Sequence, residues 1–285
     1  MPSADGEGSL SPERWAVIFG GEGMGLGLSL NMDQWKKSFQ PPRIYLFQGA
    51  LDALEELKTW VSADDALLVA DENTYQAAGE KVKSILAKQR IKVETVLSPQ
   101  LHASADDQTL EFLAKAYTGP ADAVIGVGAG SITDLGKLLS VSRNVPFISV
   151  PTAPSMDGYS SSVASILEKG IKVTKPAVSP VAIVADVEVI AAAPKELIRA
   201  GVGEALSKFT ALADWLLGHY VRGEALDRSL LEQEAALCND LFRNIGQNAP
   251  SELVEALMKV HLFAGMASAI AGQSRPTSGS EHLIS

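Results

Sequence analysis

The sequence has little of what would mark a disulfide-rich, membrane-spanning or nucleic-acid-binding protein. Its single cysteine, Cys238, cannot form an internal disulfide bond, which fits a reducing compartment. The chain has 24 lysines and arginines against 34 aspartates and glutamates, and its net charge of -10 would repel nucleic-acid phosphates. No run approaches the roughly 18 uninterrupted apolar residues of a membrane span. We therefore expect a cytoplasmic protein that binds neither nucleic acid nor membrane.

The residues that are present are sufficient for a globular core. Of the 285 residues, 46% are hydrophobic and 20% are charged. Residues 1–40 begin with an acidic, polar stretch that lacks the basic flank of a secretory signal, and we expect this segment to be flexible. The pattern then predicts an α/β domain over residues 41–187 and a helical domain over residues 188–285.

Short apolar runs alternate with helical patterns between Arg43 and Asp186. Such runs, of about five residues between helices of about twelve, are typical of βαβ crossovers and predict a parallel, Rossmann-like sheet. The runs are residues 66–70, 92–97, 122–127, 146–150 and 181–185.

After Asp186 the periodicity is helical, with no convincing strand. The predicted helix ends are marked by Pro194, Gly201, Gly223 and Pro250. The fold class predicted is therefore α/β followed by all-α.

A glycine-rich turn follows the third apolar run. Gly126, Gly128 and Gly130 precede Ser131 and a helical pattern. Glycines allow a ligand to approach the backbone, and the free N–H groups of a helix start attract phosphate, so a pyrophosphate fits here. The dinucleotide fingerprint GxGxxG is not satisfied, and a merely tight turn is the alternative.

Polar residues follow two other strands. Asp71, Asn73 and Thr74 come directly after the first run, where Asp71 could accept hydrogen bonds from ribose hydroxyls or simply cap a helix. The segment from Thr152 to Ser162 crowds hydroxyls and Asp157 at the carboxyl end of another strand, where open α/β sheets bind ligands. A small polyol would suit this segment, and a solvated serine-rich loop is the alternative.

Two residues of the helical half are candidate metal ligands. Glu204 lies near a helix start and His282 near the end of the sequence, and a carboxylate and an imidazole can share a divalent metal. The alternative is that Glu204 interacts with the helix dipole and that His282 is exposed. The remaining histidines show no ligand spacing and are predicted to be structural: His102, His219 and His261.

Six segments, taken in order, resemble the successive signatures of glycerol-1-phosphate dehydrogenases: VADENT, GVGAGSITDLGK, SVPTAPSMDGYSSSVAS, AIVAD, RAGVGEALSKFTALADW and SRPTSGSEHLIS. This branch belongs to the superfamily of iron-containing alcohol dehydrogenases and dehydroquinate synthases, and the resemblance covers about residues 43 to 285. It implies a dehydroquinate synthase-like fold and reversible reduction of dihydroxyacetone phosphate to sn-glycerol 1-phosphate. It also implies NAD or NADP and a divalent metal, which in this family is usually zinc and sometimes nickel or iron.

The resemblance also implies a role for individual residues. Asp157 would face the nicotinamide and the substrate as the catalytic carboxylate, while Ser162, Lys172 and Arg275 would contact the substrate. Glu204 and His282 would bind the metal. The cofactor contacts implied are Asp71, Asn73, Thr74, Gly128, Gly130, Ser131, Asp134, Thr152 and Ser155.

Two departures from the branch keep alternatives open. Glu204 stands where the branch has aspartate, and the sequence ends at Ser285 without a second metal histidine, so we expect a C-terminally truncated helical domain. A non-catalytic nucleotide-binding relative and a dehydroquinate synthase-like cyclase are the other hypotheses. Asp71 favours NAD over NADP by charge, and homo-oligomers are common in the family.

Overall fold

The computed structural model describes residues 41–246 and 249–281. The predicted flexible segment 1–40 and the candidate ligand His282 lie outside these ranges, so both predictions stay untested. Strands and helices are numbered in chain order.

A six-stranded parallel sheet forms the first half of the described chain. Its spatial order is β1-β8-β5-β4-β2-β3, and every pairing in it is parallel. All five predicted runs are strands of this sheet, whereas β1 was not predicted. The strands are β1 (Arg43–Phe47), β2 (Asp65–Ala70), β3 (Lys92–Leu97), β4 (Ala123–Gly128), β5 (Phe147–Pro151) and β8 (Ala182–Asp186).

Both faces of the sheet are buried, which explains the continuous apolar runs. In β2, Leu68 points into one hydrophobic cluster while Leu67 and Val69 point into another on the opposite face. A strand covered on both faces needs apolar side chains at successive positions rather than at alternate ones. The sequence therefore indicates a doubly wound sheet directly.

Helices connect the strands and make up the second half. A 3-10 segment (Ala50–Glu56) precedes α1, and a π segment (Tyr75–Gly79) joins α2 to α3. The helices are α1 (Leu57–Trp60), α2 (Glu72–Thr74), α3 (Glu80–Lys88), α4 (Asp107–Ala116), α5 (Gly130–Arg143), α6 (Val187–Ala191), α7 (Lys195–Arg222), α8 (Arg228–Asn244) and α9 (Pro250–Ala271).

Two local predictions need correction. Gly201 does not end a helix but lies inside α7, because the missing side chain is needed for packing: a Cβ there would lie 2.0 Å from the Pro154 carbonyl oxygen. Part of the serine-rich segment predicted as a loop forms an antiparallel hairpin of β6 (Val163–Glu168) and β7 (Ile171–Pro176). Its tight turn contains Lys169 and Gly170, both with positive φ, as two-residue hairpin turns require.

A large core joins the helical half to the sheet. Ile44 and Leu46 of β1 belong to the same buried cluster as Trp215 of α7 and Met258 of α9. The division after residue 187 therefore stays a prediction, although every described element beyond Asp186 is a helix, as predicted.

Helix α9 is long and apolar enough, by length and composition alone, to cross a membrane. It is the one such helix within residues 41–246 and 249–281, and most of its apolar stretch is buried against the rest of the chain. A buried central helix of a globular core has this composition too. The prediction that the protein has no membrane span is not tested further by this helix.

Candidate functional site

Three predicted loops meet at one edge of the sheet. Because β2, β4 and β5 are neighbours in a parallel sheet, the residues after their carboxyl ends lie side by side. The backbone N–H of Thr152 donates to the Gly128 carbonyl oxygen at 3.3 Å, which ties two of these loops together. This edge is therefore where a ligand of the α/β half would bind.

The glycine turn leaves the start of α5 open. No side chain caps the helix, and its first turn carries no acidic residue. A Cβ at Gly128 would lie 2.6 Å from Ile132 Cβ, and one at Gly130 would lie 2.9 Å from Met156 Sδ. Glycine is therefore required at Gly128, whereas at Gly130 the flexible Met156 side chain could move aside. Ser131 follows in the first turn, where free backbone N–H groups suit a phosphate.

Asp71 forms the helix cap that was one of its two predicted roles. Its Oδ1 accepts a hydrogen bond from the Thr74 backbone N–H at 2.8 Å, and Thr74 Oγ1 accepts one from the Asp71 N–H at 3.0 Å. Asn73 donates from Nδ2 to the Leu101 carbonyl oxygen at 2.9 Å. The predicted contact of Asp71 with ribose is compatible with the cap and stays a prediction.

The segment between β5 and β6 is fixed by contacts with buried groups. Tyr159 is buried and donates from its hydroxyl to the Ala153 carbonyl oxygen at 2.5 Å. Ser160 donates from Oγ to the Leu262 carbonyl oxygen of α9 at 2.8 Å. A Cβ at Gly265 of α9 would lie 2.5 Å from the Asp157 carbonyl oxygen, so the segment packs closely on that helix. The solvated loop that was its alternative interpretation is thus wrong, and Asp157 is held in place.

Asp157 forms part of a buried charge cluster around Lys208. The Lys208 ammonium donates to Asp157 Oδ2 at 2.5 Å, to Glu204 Oε1 and to the Thr277 carbonyl oxygen at 2.8 Å. Burial would lower the pKa of Lys208, but the two carboxylates outweigh it and hold that pKa above its usual range. Lys208 is therefore a permanent cation between the candidate catalytic and metal-binding carboxylates.

A second buried lysine holds the other side of the segment. Lys137 of α5 donates to the Gly158 carbonyl oxygen, to Ser161 Oγ at 3.1 Å and to the Val163 carbonyl oxygen at 3.1 Å. Burial lowers the pKa of Lys137 to about 8, against the opposing effect of Asp134 and Asp157.

Asp134, a predicted cofactor contact, lies one helical turn before Lys137 on α5. Burial raises its pKa to about 6, although the charge of Lys137, a hydrogen bond from the Ser165 backbone and the charge of Lys172 of β7 act to lower it. The predicted substrate residue Lys172 is therefore near this cluster. Ser162 accepts a hydrogen bond from the Ala177 N–H at its carbonyl oxygen, at 2.9 Å, and so helps to anchor the hairpin.

Two further ionisable groups are buried beside the cluster. Glu234 of α8 is fully buried, and its burial raises the carboxyl pKa to about 8, partly opposed by Lys208. His261 of α9 is also fully buried, and its burial lowers the imidazole pKa to about 4 even though Asp157 acts in the opposite direction. Both side chains are therefore neutral at pH 7.

The described residues do not complete a metal site. Within residues 41–246 and 249–281, no three histidine, cysteine, aspartate or glutamate side chains converge as metal ligands. Glu204 is paired with Lys208 instead. Arg275, predicted to bind the substrate, forms an ion pair with Glu224 at 2.8 Å and lines a cavity of about 390 Å³ with Asp214 and Ser278.

Sequence reasoning missed Lys208, Lys137 and Glu234. The available signal was spacing: Lys208 follows Glu204 by four residues, so the two side chains lie on one helix face. Nothing in the sequence, however, distinguishes this pair from an exposed one such as Glu111 and Lys115, which has the same spacing.

Comparison with known proteins identifies the class to which this fold and site belong. The family model described as iron-containing alcohol dehydrogenase matches residues 45–194, which include the glycine turn and Asp157. The chain belongs to the iron-containing alcohol dehydrogenase family, in its glycerol-1-phosphate dehydrogenase branch.

Curated relatives in that branch come from archaea and bacteria. A glycerol-1-phosphate dehydrogenase [NAD(P)+] of Methanosarcina mazei is 36% identical over 268 residues, covering 90% of this chain and 72% of the relative. The enzyme of Thermococcus sibiricus is 37% identical, covering 81% of this chain and 68% of the relative. That of Bacillus subtilis is 32% identical, covering 85% of this chain and 63% of the relative.

Solved structures share the fold at lower identity. An iron-containing alcohol dehydrogenase from Thermotoga maritima superposes with a TM-score of 0.68 at 18% identity, covering 84% of this chain and 70% of that one. A glycerol dehydrogenase from Schizosaccharomyces pombe superposes with a TM-score of 0.64 at 23% identity, covering 88% of this chain and 65% of that one. The predicted α/β plus helical fold is thereby confirmed.

Proposed function

We propose that the chain interconverts dihydroxyacetone phosphate and sn-glycerol 1-phosphate, using NAD or NADP and a divalent metal. The observation that carries the proposal is the position of Asp157. Its neighbour Met156 lies against Gly130 at the open start of α5, so the segment that carries Asp157 reaches the predicted pyrophosphate position. The curated relatives that are 36% and 37% identical to this chain are named glycerol-1-phosphate dehydrogenases.

The cofactor would lie along the carboxyl edge of the sheet. We assign its adenosine ribose to Asp71, with Asn73 and Thr74 nearby, because these residues follow β2. We assign its pyrophosphate to the residues at the start of α5, Gly128, Gly130 and Ser131, because no side chain caps that helix. Asp134, Thr152 and Ser155 would make further contacts with the cofactor, and Asp157 would face the nicotinamide.

The substrate would bind between Asp157 and the hairpin. The Asp157 side chain is only partly buried, so its carboxylate can accept a hydrogen bond from a substrate hydroxyl. Lys172 is exposed on β7 and would provide positive charge for the substrate phosphate, while Ser162 at the opposite end of the hairpin would make a separate substrate contact. Arg275 is a weaker candidate for that phosphate because Glu224 already pairs with it.

The metal is zinc, nickel or iron in this proposal, with Glu204 and His282 as its ligands in this sequence. Because Lys208 already pairs with Glu204, the described side chains do not hold the metal by themselves. No catalytic step is therefore assigned to the metal.

The test is a spectrophotometric assay of the full chain with dihydroxyacetone phosphate, NADH or NADPH, and added zinc or nickel. We expect metal-stimulated oxidation of the reduced cofactor, and a loss of about 100-fold in kcat for Asp157→Asn if its carboxylate contacts the reacting hydroxyl. Absence of turnover with each cofactor and metal would remove the proposal. Release of inorganic phosphate from a heptulosonate phosphate would instead favour the cyclase hypothesis.

We also propose that the protein is a cytoplasmic homo-oligomer. Support comes from the outer face of α7. Its exposed positions between Gly203 and Val221 carry no charged residue and include Leu206, Ala213, Leu217, Tyr220 and Val221. An exposed apolar stripe of this length favours association with another helix.

A further inference from the structure

We propose that Lys208 is an internal counter-ion of the metal site, whose ammonium neutralises Asp157 and Glu204 and must leave Glu204 for a divalent cation to bind there fully. This inference rests on the proposed function in one respect, namely that Glu204 is a metal ligand. It concerns a residue that the sequence pattern did not single out.

All three hydrogen-bond donors of the Lys208 ammonium have an acceptor. A lysine ammonium has three N–H donors, and here three oxygens accept them: Asp157 Oδ2, Glu204 Oε1 and the Thr277 carbonyl oxygen. The Lys208 side chain has no exposed surface, whereas the Asp157 and Glu204 side chains are 22% and 21% exposed. The cation is therefore on the protein side of the two carboxylates, and their open side faces solvent.

The three oxygens come from three separate parts of the chain. Asp157 lies in the segment after β5, Glu204 and Lys208 lie on α7, and Thr277 follows α9. One ammonium thus joins the substrate side of the site to the proposed metal side. Because Lys208 cannot reach solvent or substrate, it is a positioning residue that acts through the two carboxylates.

Charge decides how a metal would interact with this arrangement. Two carboxylates and one ammonium leave one surplus negative charge, whereas the two carboxylates alone would match a dication. Like charges a few ångströms apart repel strongly where little water screens them. A dication next to Glu204 would therefore push the ammonium away, and the ammonium lowers the affinity for the metal.

Without the Lys208 ammonium, Asp157 and Glu204 would lack their shared counter-ion. Removing one partner of a buried ion pair leaves an uncompensated charge, which strongly destabilises the fold. In Lys208→Met the two carboxylates would repel each other until a dication neutralised them. The variant should therefore depend on metal for stability, while the wild-type chain should not.

The test uses the full chain and zinc as the probe, with titration calorimetry and thermal melting as readouts. For Lys208→Met we expect a lower Tm without zinc, zinc binding at least about ten times tighter than in the wild-type chain, and a larger zinc-induced rise in Tm. Lys208→Arg keeps the charge, so its zinc affinity should stay near that of the wild type, although its larger buried side chain should lower the Tm. The matched control is Lys115→Met, which breaks an exposed pair of the same spacing with Glu111 and should change neither readout.

A double variant covers the case in which Lys208→Met does not fold. Glu204→Gln together with Lys208→Met removes one charge of each sign, so this variant should be more stable than Lys208→Met alone. Equal instability of the two, or unchanged or weaker zinc binding in Lys208→Met, overturns the counter-ion role. Unchanged zinc affinity in Glu204→Gln alone overturns instead the assignment of Glu204 as a ligand, and so separates a failure of the proposed function from a failure of this inference.

Discussion

At the residue scale, one glycine sets how closely α7 approaches the segment that carries Asp157. An alanine Cβ at Gly201 would lie 2.0 Å from the Pro154 carbonyl oxygen and 3.3 Å from His261 Nε2. The backbone cannot yield as a side chain does, so Gly201→Ala must shift α7 or the segment. We expect a loss of about 1–3 kcal/mol in unfolding free energy and reduced kcat.

Gly203 provides the matched control on the same helix. A Cβ at Gly203 meets nothing within 4 Å, so only helix propensity changes there. Gly203→Ala should therefore raise the unfolding free energy by about 0.5–1 kcal/mol, as measured by chemical denaturation. Equal effects of the two substitutions would show that close packing at Gly201 is not the reason for its glycine.

Glu234 should make stability depend on pH. Its pKa is raised by burial to about 8 in the folded chain, above the value of 4.5 for a free side chain. Between these two values the folded state keeps a proton that the unfolded state has lost. The free energy of unfolding is therefore highest below pH 4.5 and falls as the pH rises towards 8. The expected slope is about 1.4 kcal/mol per pH unit within that window.

Glu234→Gln should remove this slope, because the amide does not titrate. The measurement is the difference in unfolding free energy between variant and wild type at about pH 5, 6.5 and 8, and that difference should grow in favour of the variant as pH rises. Glu232→Gln, two residues earlier and exposed, is the control. A constant difference across the series would contradict a protonated Glu234.

At the element scale, α7 has two faces that differ in burial and composition. Its buried face carries Lys208 and Trp215, while its outer face exposes 60% of Leu217 and 68% of Tyr220. The uncharged outer positions follow a spacing of three and four residues from Gly203 to Tyr220, as in helices that pair with another helix.

Leu217→Glu should therefore reduce self-association. A charge in the centre of an apolar stripe disfavours helix pairing, so light scattering should report a smaller mass than for the wild-type chain at the same concentration. Leu101→Glu, which changes a similarly exposed leucine (56%) outside α7, should leave the mass unchanged. A wild-type chain that is monomeric at all concentrations would contradict the proposed association.

At the scale of the whole molecule, net charge should affect capture of a phosphorylated substrate. A charge of -10 repels an anion over distances comparable to the Debye length, which shortens from about 30 Å at 0.01 M salt to about 8 Å at 0.15 M. We expect KM for dihydroxyacetone phosphate to fall over that range while kcat stays constant. Uncharged dihydroxyacetone is the control substrate, and a rise in KM for the phosphate would instead indicate that local lysines dominate.

Much of the fold follows from local pattern. Strands buried on both faces require continuous apolar runs, so the five predicted strands and the helical second half could be found from the sequence. The hairpin β6–β7 could not, because its alternating polar residues resemble a serine-rich loop until α5 is known to pack beside it. Gly201 resembled a helix end for a similar reason, since its close contact is with a distant carbonyl.

The sequence by itself determined the parallel sheet, the glycine turn and the approximate place of Asp157, because these depend on residues close together in the chain. Only the tertiary structure decided which charges meet. Asp157 and Thr277 lie 51 and 69 positions from Lys208, and their contact with one ammonium depends on how α7 packs against α9 and against the segment after β5. Burial of that ammonium makes its electrostatic effect strong, and burial is a property of the packed chain rather than of any segment.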